Sequence, residues 1–183
     1  MIQKVVVVNR DVMRDYLIQK IIPTIEAKWH VEDIGKPIFI QQDNAPSHVK
    51  PTDPELCAAI GNTNLDIHLM SQLANSLDMN VLDLGFFSSI QSLTDKCNPR
   101  TIEELIHDVQ KEFDEYESYS LKKVFITLQS CMIETMKCDG GNGYKIPHMN
   151  KDRLQRIGAL PMRLSCDLSL CERVKGILDA TNP

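Results

Sequence analysis

No two of the six cysteines stand at C-x-x-C spacing: Cys57, Cys97, Cys131, Cys138, Cys166 and Cys171 are scattered along the chain. That argues against a zinc ribbon or a dithiol redox site and reads as free, reduced thiols in an intracellular protein. The five histidines do not cluster with the cysteines, so a zinc site has no ligand set. No apolar run is long enough to cross a bilayer. The opening MIQKVVVV is too short for the apolar part of a signal peptide and has no small-residue cleavage site. Net positive charge is missing as well. The formal charge is −5, so bulk charge lends no support to nucleic-acid binding. There is no internal repeat and no low-complexity segment.

What remains is ordinary for a globular chain. With 183 residues, 43% hydrophobic and 25% charged, there is material for one domain with a core. The segment Asn9 to Trp29 carries Met13, Leu17, Ile18, Ile21, Ile22 and Ile25 near one face of a helix. Pro23 inside it predicts a kink or split. Lys4 to Val8 is β-branched and reads as a strand or a frayed end. Pro37-Ile38-Phe39-Ile40 reads as a buried strand, Asp53-Pro54-Glu55 as a helix start ending at Gly61, and Asp66 to Met70 as a second strand by its alternation. Strand, helix, strand predicts a βαβ unit with parallel pairing. Further on, a helix is expected from near Asn80 or Val81. Thr101-Ile102-Glu103-Glu104 is a capping box opening another. A third runs from about Leu121 to Lys137, with Val124, Phe125, Leu128, Met132 and Met136 inward and Gly140-Gly141 as its stop. A short terminal helix is expected over Cys171 to Leu178. Tyr144 to Arg163 is locally basic: Lys145, Lys151, Arg153, Arg156 and Arg163 stand against Asp152 alone.

Two motifs concentrate the chemistry. The first strand runs into Gln41-Gln42-Asp43-Asn44-Ala45-Pro46-Ser47-His48, which puts an acid just past a strand end. The second is Asn75-Ser76-Leu77-Asp78-Met79-Asn80-Val81-Leu82-Asp83-Leu84-Gly85-Phe86-Phe87. Thirty-nine residues lie between Asp43 and Asp83. QQDNAPSH followed at this distance by NSxDxNVLDLGFF resembles the transposases of plant mariner-like elements. SIQSL ending near Leu93, TLQSCMIETMK and GNGYKIPHMNKDRL look similar too, so the resemblance covers roughly Val12 to Leu164.

That resemblance implies an α/β fold: a truncated RNase H-like domain, with a short mixed sheet flanked by helices and a helical C-terminal portion. Residues 1–100 would be a partial catalytic core lacking its first strands, and 101–183 the helical remainder with the basic segment 144–163. The family uses three aspartates. The resemblance makes Asp43 the second and Asp83 the third, both catalytic and both ligands of Mg²⁺ or Mn²⁺. Metal ions that activate a nucleophile and stabilise a leaving oxygen need few protein ligands, but these must be carboxylates on rigid elements. Asn44 and His48 would orient neighbours or touch phosphate, and Lys145, Lys151, Arg153 and Arg156 would contact DNA. The implied partners are DNA at transposon ends and a second copy or a full-length transposase, with no membrane, and the implied location is the nucleus.

The first aspartate has no counterpart, since Asp11, Asp15, Glu26, Glu32 and Asp33 lie in helix-like or loop-like sequence. The chain also lacks the family's N-terminal helix-turn-helix region. It is therefore expected to be a C-terminal part of a catalytic domain, inactive alone, or else a non-enzymatic nucleic-acid-binding or interaction remnant. Asp78, with 34 residues between it and Asp43, matches the spacing of animal mariner enzymes. The VLDLGFF context assigns the role to Asp83 and leaves Asp78 to the turn. The family's QPPNSPD-like loop reads Gln72-Leu73-Ala74-Asn75-Ser76-Leu77-Asp78 here. Loss of three prolines predicts a less rigid approach to Asp83. Each site residue also has a bland reading: Asp43 as a turn residue, His48 as an exposed loop residue, the basic run as a solvated face.

Overall fold

The computed structural model of the chain describes residues 6–181. It is mixed α/β and mostly helical, with a small parallel two-stranded sheet flanked by helices. The chain divides into two compact units, residues 1–74 and 75–183.

The first unit begins with α1 (Arg10–Tyr16), passes through a wide π-type turn (Leu17–Ile21) and continues as α2 (Ile22–Lys28). Asn9 caps the start through its side chain, which accepts from the Val12 amide at 3.0 Å. Pro23 neither breaks nor ends the helix. It sits in the first turn of α2, directly after the wide turn, where its missing N–H and its ring are accommodated. Lys4 and Val5 lie outside the described residues, whereas Val6, Val7 and Val8 are exposed and in no regular element.

Gly35, at φ +90, turns the chain into β1 (Ile38–Gln42). This left-handed conformation is cheap only without a Cβ. α3 (Pro54–Gly61) then crosses to β2 (Ile67–Ser71), which pairs parallel to β1 with Ile38 opposite Ile67 and Gln42 opposite Ser71. Alternation sends Ile38, Ile67 and Leu69 inward, where they join Leu17, Ile22, Val49 and Leu56 in one core. The other face carries Phe39 stacked on His68 with centroids 5.3 Å apart, and Met70, all exposed. The expected βαβ unit is present; the sheet is parallel, with no antiparallel pair among the described residues.

The second unit is helical. A 3-10 turn (Leu77–Met79) and a π-type turn (Leu82–Phe86) lead into α4 (Phe87–Cys97), followed by α5 (Ile102–Asp114), α6 (Ser118–Lys137), α7 (Lys151–Arg156) and α8 (Leu168–Thr181). The capping box of α5 is complete in both directions between Thr101 and Glu104. α6 is the centre of this unit. The residues it buries are Ile126, Ser130 and Cys131, while Phe125 and Met132 are exposed. This corrects the inward face read from apolar spacing. The cause is the segment after Gly140, which wraps the helix: Leu164 N–H donates to Gln129 Oε1 at 2.7 Å, and Ser130 Oγ meets Met149 Sδ at 3.3 Å. Ser130 tolerates burial because its hydroxyl donates to the Ile126 carbonyl one turn back, at 2.9 Å.

Candidate functional site

In the first unit the QQDN loop is built onto the carboxyl end of β1, where parallel sheets place ligands. Asp43 follows the last strand residue directly. Its Oδ1 accepts from the Ala45 amide at 2.7 Å and lies 2.8 Å from His48 Nδ1. The same Nδ1 is 2.8 Å from the Asp43 carbonyl. Both neighbours are acceptors, so Nδ1 is the ring atom that donates to Asp43. The Asp43 side chain stays 52% exposed while His48 is 20% exposed. His48 is thus a half-buried partner of Asp43 and not a free loop histidine. Asn44 turns the other way: its amide donates to the Gln72 carbonyl at 2.8 Å and ties the loop to the end of β2.

Sequence reasoning missed the two arginines that hold this loop. Arg10 donates to the carbonyls of His48 and Pro46, both at 3.1 Å. Arg14 forks onto Asp53, Nε at 3.1 Å and Nη2 at 2.9 Å, while Asp53 caps α3 by accepting from the Leu56 amide. The Arg14 guanidinium, and after it the Leu56 amide, hold the Asp53 carboxyl below the usual carboxylate range. The spacing Arg10–Arg14 is one helical turn on α1 and was the available signal.

In the second unit Asp83 lies in the first turn of the helix that becomes α4, exposed, with Oδ2 accepting from Asn80 Nδ2 at 2.8 Å. Asn80 Oδ1 in turn accepts from the Leu82 amide at 3.1 Å. Asp78 is differently placed. Its carboxylate takes the phenol proton donor of Tyr144, which also meets Thr135 Oγ1 at 3.0 Å. Burial, and then this carboxylate, push the Tyr144 phenol up to about 12. Asp78, Asp83, Asn75, Asn142 and Tyr144 line one open pocket of about 550 Å³. One carboxylate there is committed to a tyrosine and the other is open. Leu73 and Leu77, standing where the resemblance expects prolines, are 71% and 67% exposed.

Of the basic residues, Lys145, Arg153 and Arg156 are exposed, whereas Lys151 is partly withdrawn and donates to Thr127 Oγ1 at 2.7 Å. Lys123 of α6, not singled out in the sequence, joins the group by pairing with Asp152 at 2.7 Å. Lys123, His148, Lys151 and Asp152 line a polar pocket of about 510 Å³.

Asp43, Asn44 and His48 belong to the first unit; Asp83 and the basic segment belong to the second. Among the described residues no group of three or more His, Cys, Asp or Glu side chains is arranged to hold a metal ion. Asp43 in the first unit and Asp83 in the second are both exposed carboxylates. Comparison of the chain with protein-family models, with curated proteins and with solved structures finds no match.

Proposed function

We propose that this chain is a C-terminal part of the catalytic core of a mariner-type DNA transposase of the plant branch, a nuclear protein of RNase H-like ancestry, and that by itself it does not cut DNA. The observation that carries the reading is the placement of Asp43. It stands at the carboxyl end of a strand in a parallel βαβ unit, with its carboxylate oriented by His48 and the Ala45 amide and half-exposed. Asp83, held by Asn80 at a helix start, supports it. The acids upstream of Asp43 favour inactivity: Asp11 and Asp15 are on α1, Glu26 is on α2, and Glu32 and Asp33 are in a 3-10 turn, so none stands at a strand end.

In the complete reaction Mg²⁺ or Mn²⁺ would activate the attacking oxygen and stabilise the leaving one. The roles left to this chain are narrower. Asp43 and Asp83 present open carboxylates, His48 and Asn80 fix their orientation, and Asn44 sets the loop geometry. Lys145, Arg153 and Arg156, which are exposed, would meet phosphates of the transposon ends, with Lys151 beside them in sequence.

A plasmid-nicking assay in Mg²⁺ or Mn²⁺, run beside Asp43→Asn and Asp83→Asn, tests the reading together with Mn²⁺ titration followed by water relaxation. Weak Mn²⁺ binding that falls in each variant, without nicking, is expected. Metal-dependent nicking that needs both aspartates would make the chain a complete enzyme with a further ligand. Mn²⁺ binding unchanged in both variants would remove the metal-ligand assignment.

The second reading, a nucleic-acid-binding remnant with no metal role, is favoured by the exposure of Lys145, Arg153 and Arg156. It predicts duplex binding that weakens as salt rises, insensitive to both aspartate substitutions.

A further inference from the structure

The helix with the clearest two-faced pattern buries none of its own residues. On α5, Ile102, Leu105, Ile106, Val109 and Phe113 fall on one stripe at helical spacing, and each is between 40% and 64% exposed. Only part of that stripe rests on α4. Between the two helices runs an apolar groove of about 420 Å³, floored by Phe86, Ile90, Leu105, Val109 and Phe113, with Asp95 at its side. Phe86 stacks edge-on against Phe113 and Tyr116, at 6.0 and 5.1 Å, which fixes the floor. At 13 residues α5 is about 20 Å long, so the groove offers roughly three and a half turns of helix.

The flanks of this stripe are acidic. Between Thr101 and Glu117 there are seven carboxylates against Lys111 alone, more net negative charge than the whole chain's −5. At 100° per residue, Glu103 and Asp114 border the stripe on one side and Asp108 and Glu112 on the other. A second copy of α5 laid in the groove would set acids against acids. The geometry points to one occupant: an amphipathic helix of a partner protein with apolar residues at i, i+3, i+4 and i+7 and lysine or arginine along both borders. Apolar anchors in the groove would supply affinity, and the acidic borders would select for the basic partner and speed its encounter. This surface is independent of the metal and DNA assignments above.

The test uses the full chain and fluorescein-labelled helical peptides of about 14 residues, four turns. One is Leu/Lys with its leucines at the stated spacing, one is the same peptide with glutamate for lysine, and one is Ser/Lys with the charge but no apolar face. Anisotropy is expected to show binding of the Leu/Lys peptide only, weakening as salt rises from about 50 to about 300 mM. Val109→Lys and Leu105→Lys, both at exposed positions lining the groove, should each weaken it about tenfold, and Glu103→Lys with Asp114→Lys should weaken it further at low salt than at high. Circular dichroism checks that each variant is folded, and the two single variants stand in for each other. Equal binding of the Leu/Glu peptide, binding of the Ser/Lys peptide, or no binding at all overturns the proposal. So does a dimer of the free chain in sedimentation that Val109→Lys dissociates, because the groove would then belong to a second copy.

Discussion

At the scale of single residues, Asp78 and Asp83 show how neighbouring carboxylates acquire different work. Both line the same pocket, yet Tyr144 is hydrogen-bonded to the first and Asn80 to the second. Each donor occupies one carboxylate oxygen; what separates the two acids is exposure, since Asp78 is partly buried against Tyr144 and Asp83 faces solvent. Tyr144 carries a signature that can be read directly. Its folded pKa, pushed up to about 12, lies above that of an unfolded tyrosine, so its contribution to stability is complete below about pH 10 and is lost as pH rises through about 12. Of the four tyrosines, absorbance at alkaline pH should show one ionising late. Tyr144→Phe should remove that late step and bring forward no other. A titration in which all four ionise together would contradict the contact with Asp78. The pairing spans 66 residues, so no local pattern announces it. The acid was visible in the sequence, and its partner was not.

At the scale of elements, turn chemistry was legible and packing faces were only partly so. Asp53 before Pro54 and the Thr101–Glu104 box are local hydrogen-bond devices, and each forms where the residues say, whereas Gly61 is the last residue of α3 and Asn62 caps its end. β1 and β2 follow from short apolar alternation bounded by turn residues. α6 was misread because it is covered from more than one direction, so serine and cysteine are buried and phenylalanine is not. Periodicity assumes one wet face and one dry one, and α6 has no such division. The tie between α1 and α3 was equally hidden, since Arg14 and Asp53 are 39 residues apart. Its consequence has a definite sign. The folded pKa of Asp53 is depressed, chiefly by Arg14, so the stabilisation is present above the unfolded value of about 3.9 and is lost as pH falls through the folded value. Arg14→Gln should therefore lower the urea midpoint of the first unit at pH 6, and the difference from wild type should shrink as the solution is taken toward pH 2. A difference that stays constant across that range would mean that the arginine acts through packing and not through its charge.

For the whole molecule, the division into two units was not legible. The sequence reads the Asp83 motif as the start of a helix, and the resemblance implies one domain whose catalytic part runs to residue 100. The structure divides the chain after Ala74, within the stretch where leucine and alanine stand in place of the expected prolines. Each unit has its own fully buried anchor, Leu56 at 1% exposure in the first and Ile126 at 0% in the second. Truncating either to alanine should cost about 2–5 kcal/mol through lost burial and the cavity left behind. Hydrogen exchange should localise the two losses differently. Leu56→Ala should loosen amides of residues 10–71 first, and Ile126→Ala those of 87–137. Uniform loosening by both substitutions would show the two units to be one cooperative body.

The parallel pairing of β1 with β2 has a further consequence, in time. Ile38 finds its partner in Ile67, so 29 residues must be added to the growing chain before the pair can form. At ribosomal rates of about 5–20 residues per second, β1 waits on the order of seconds with its apolar residues unpaired. Throughout that interval the nascent chain offers Ile38, Phe39 and Ile40 to whatever binds extended apolar segments, and a slow codon between Asp43 and Asp66 would lengthen the exposure without changing a single residue of the finished protein.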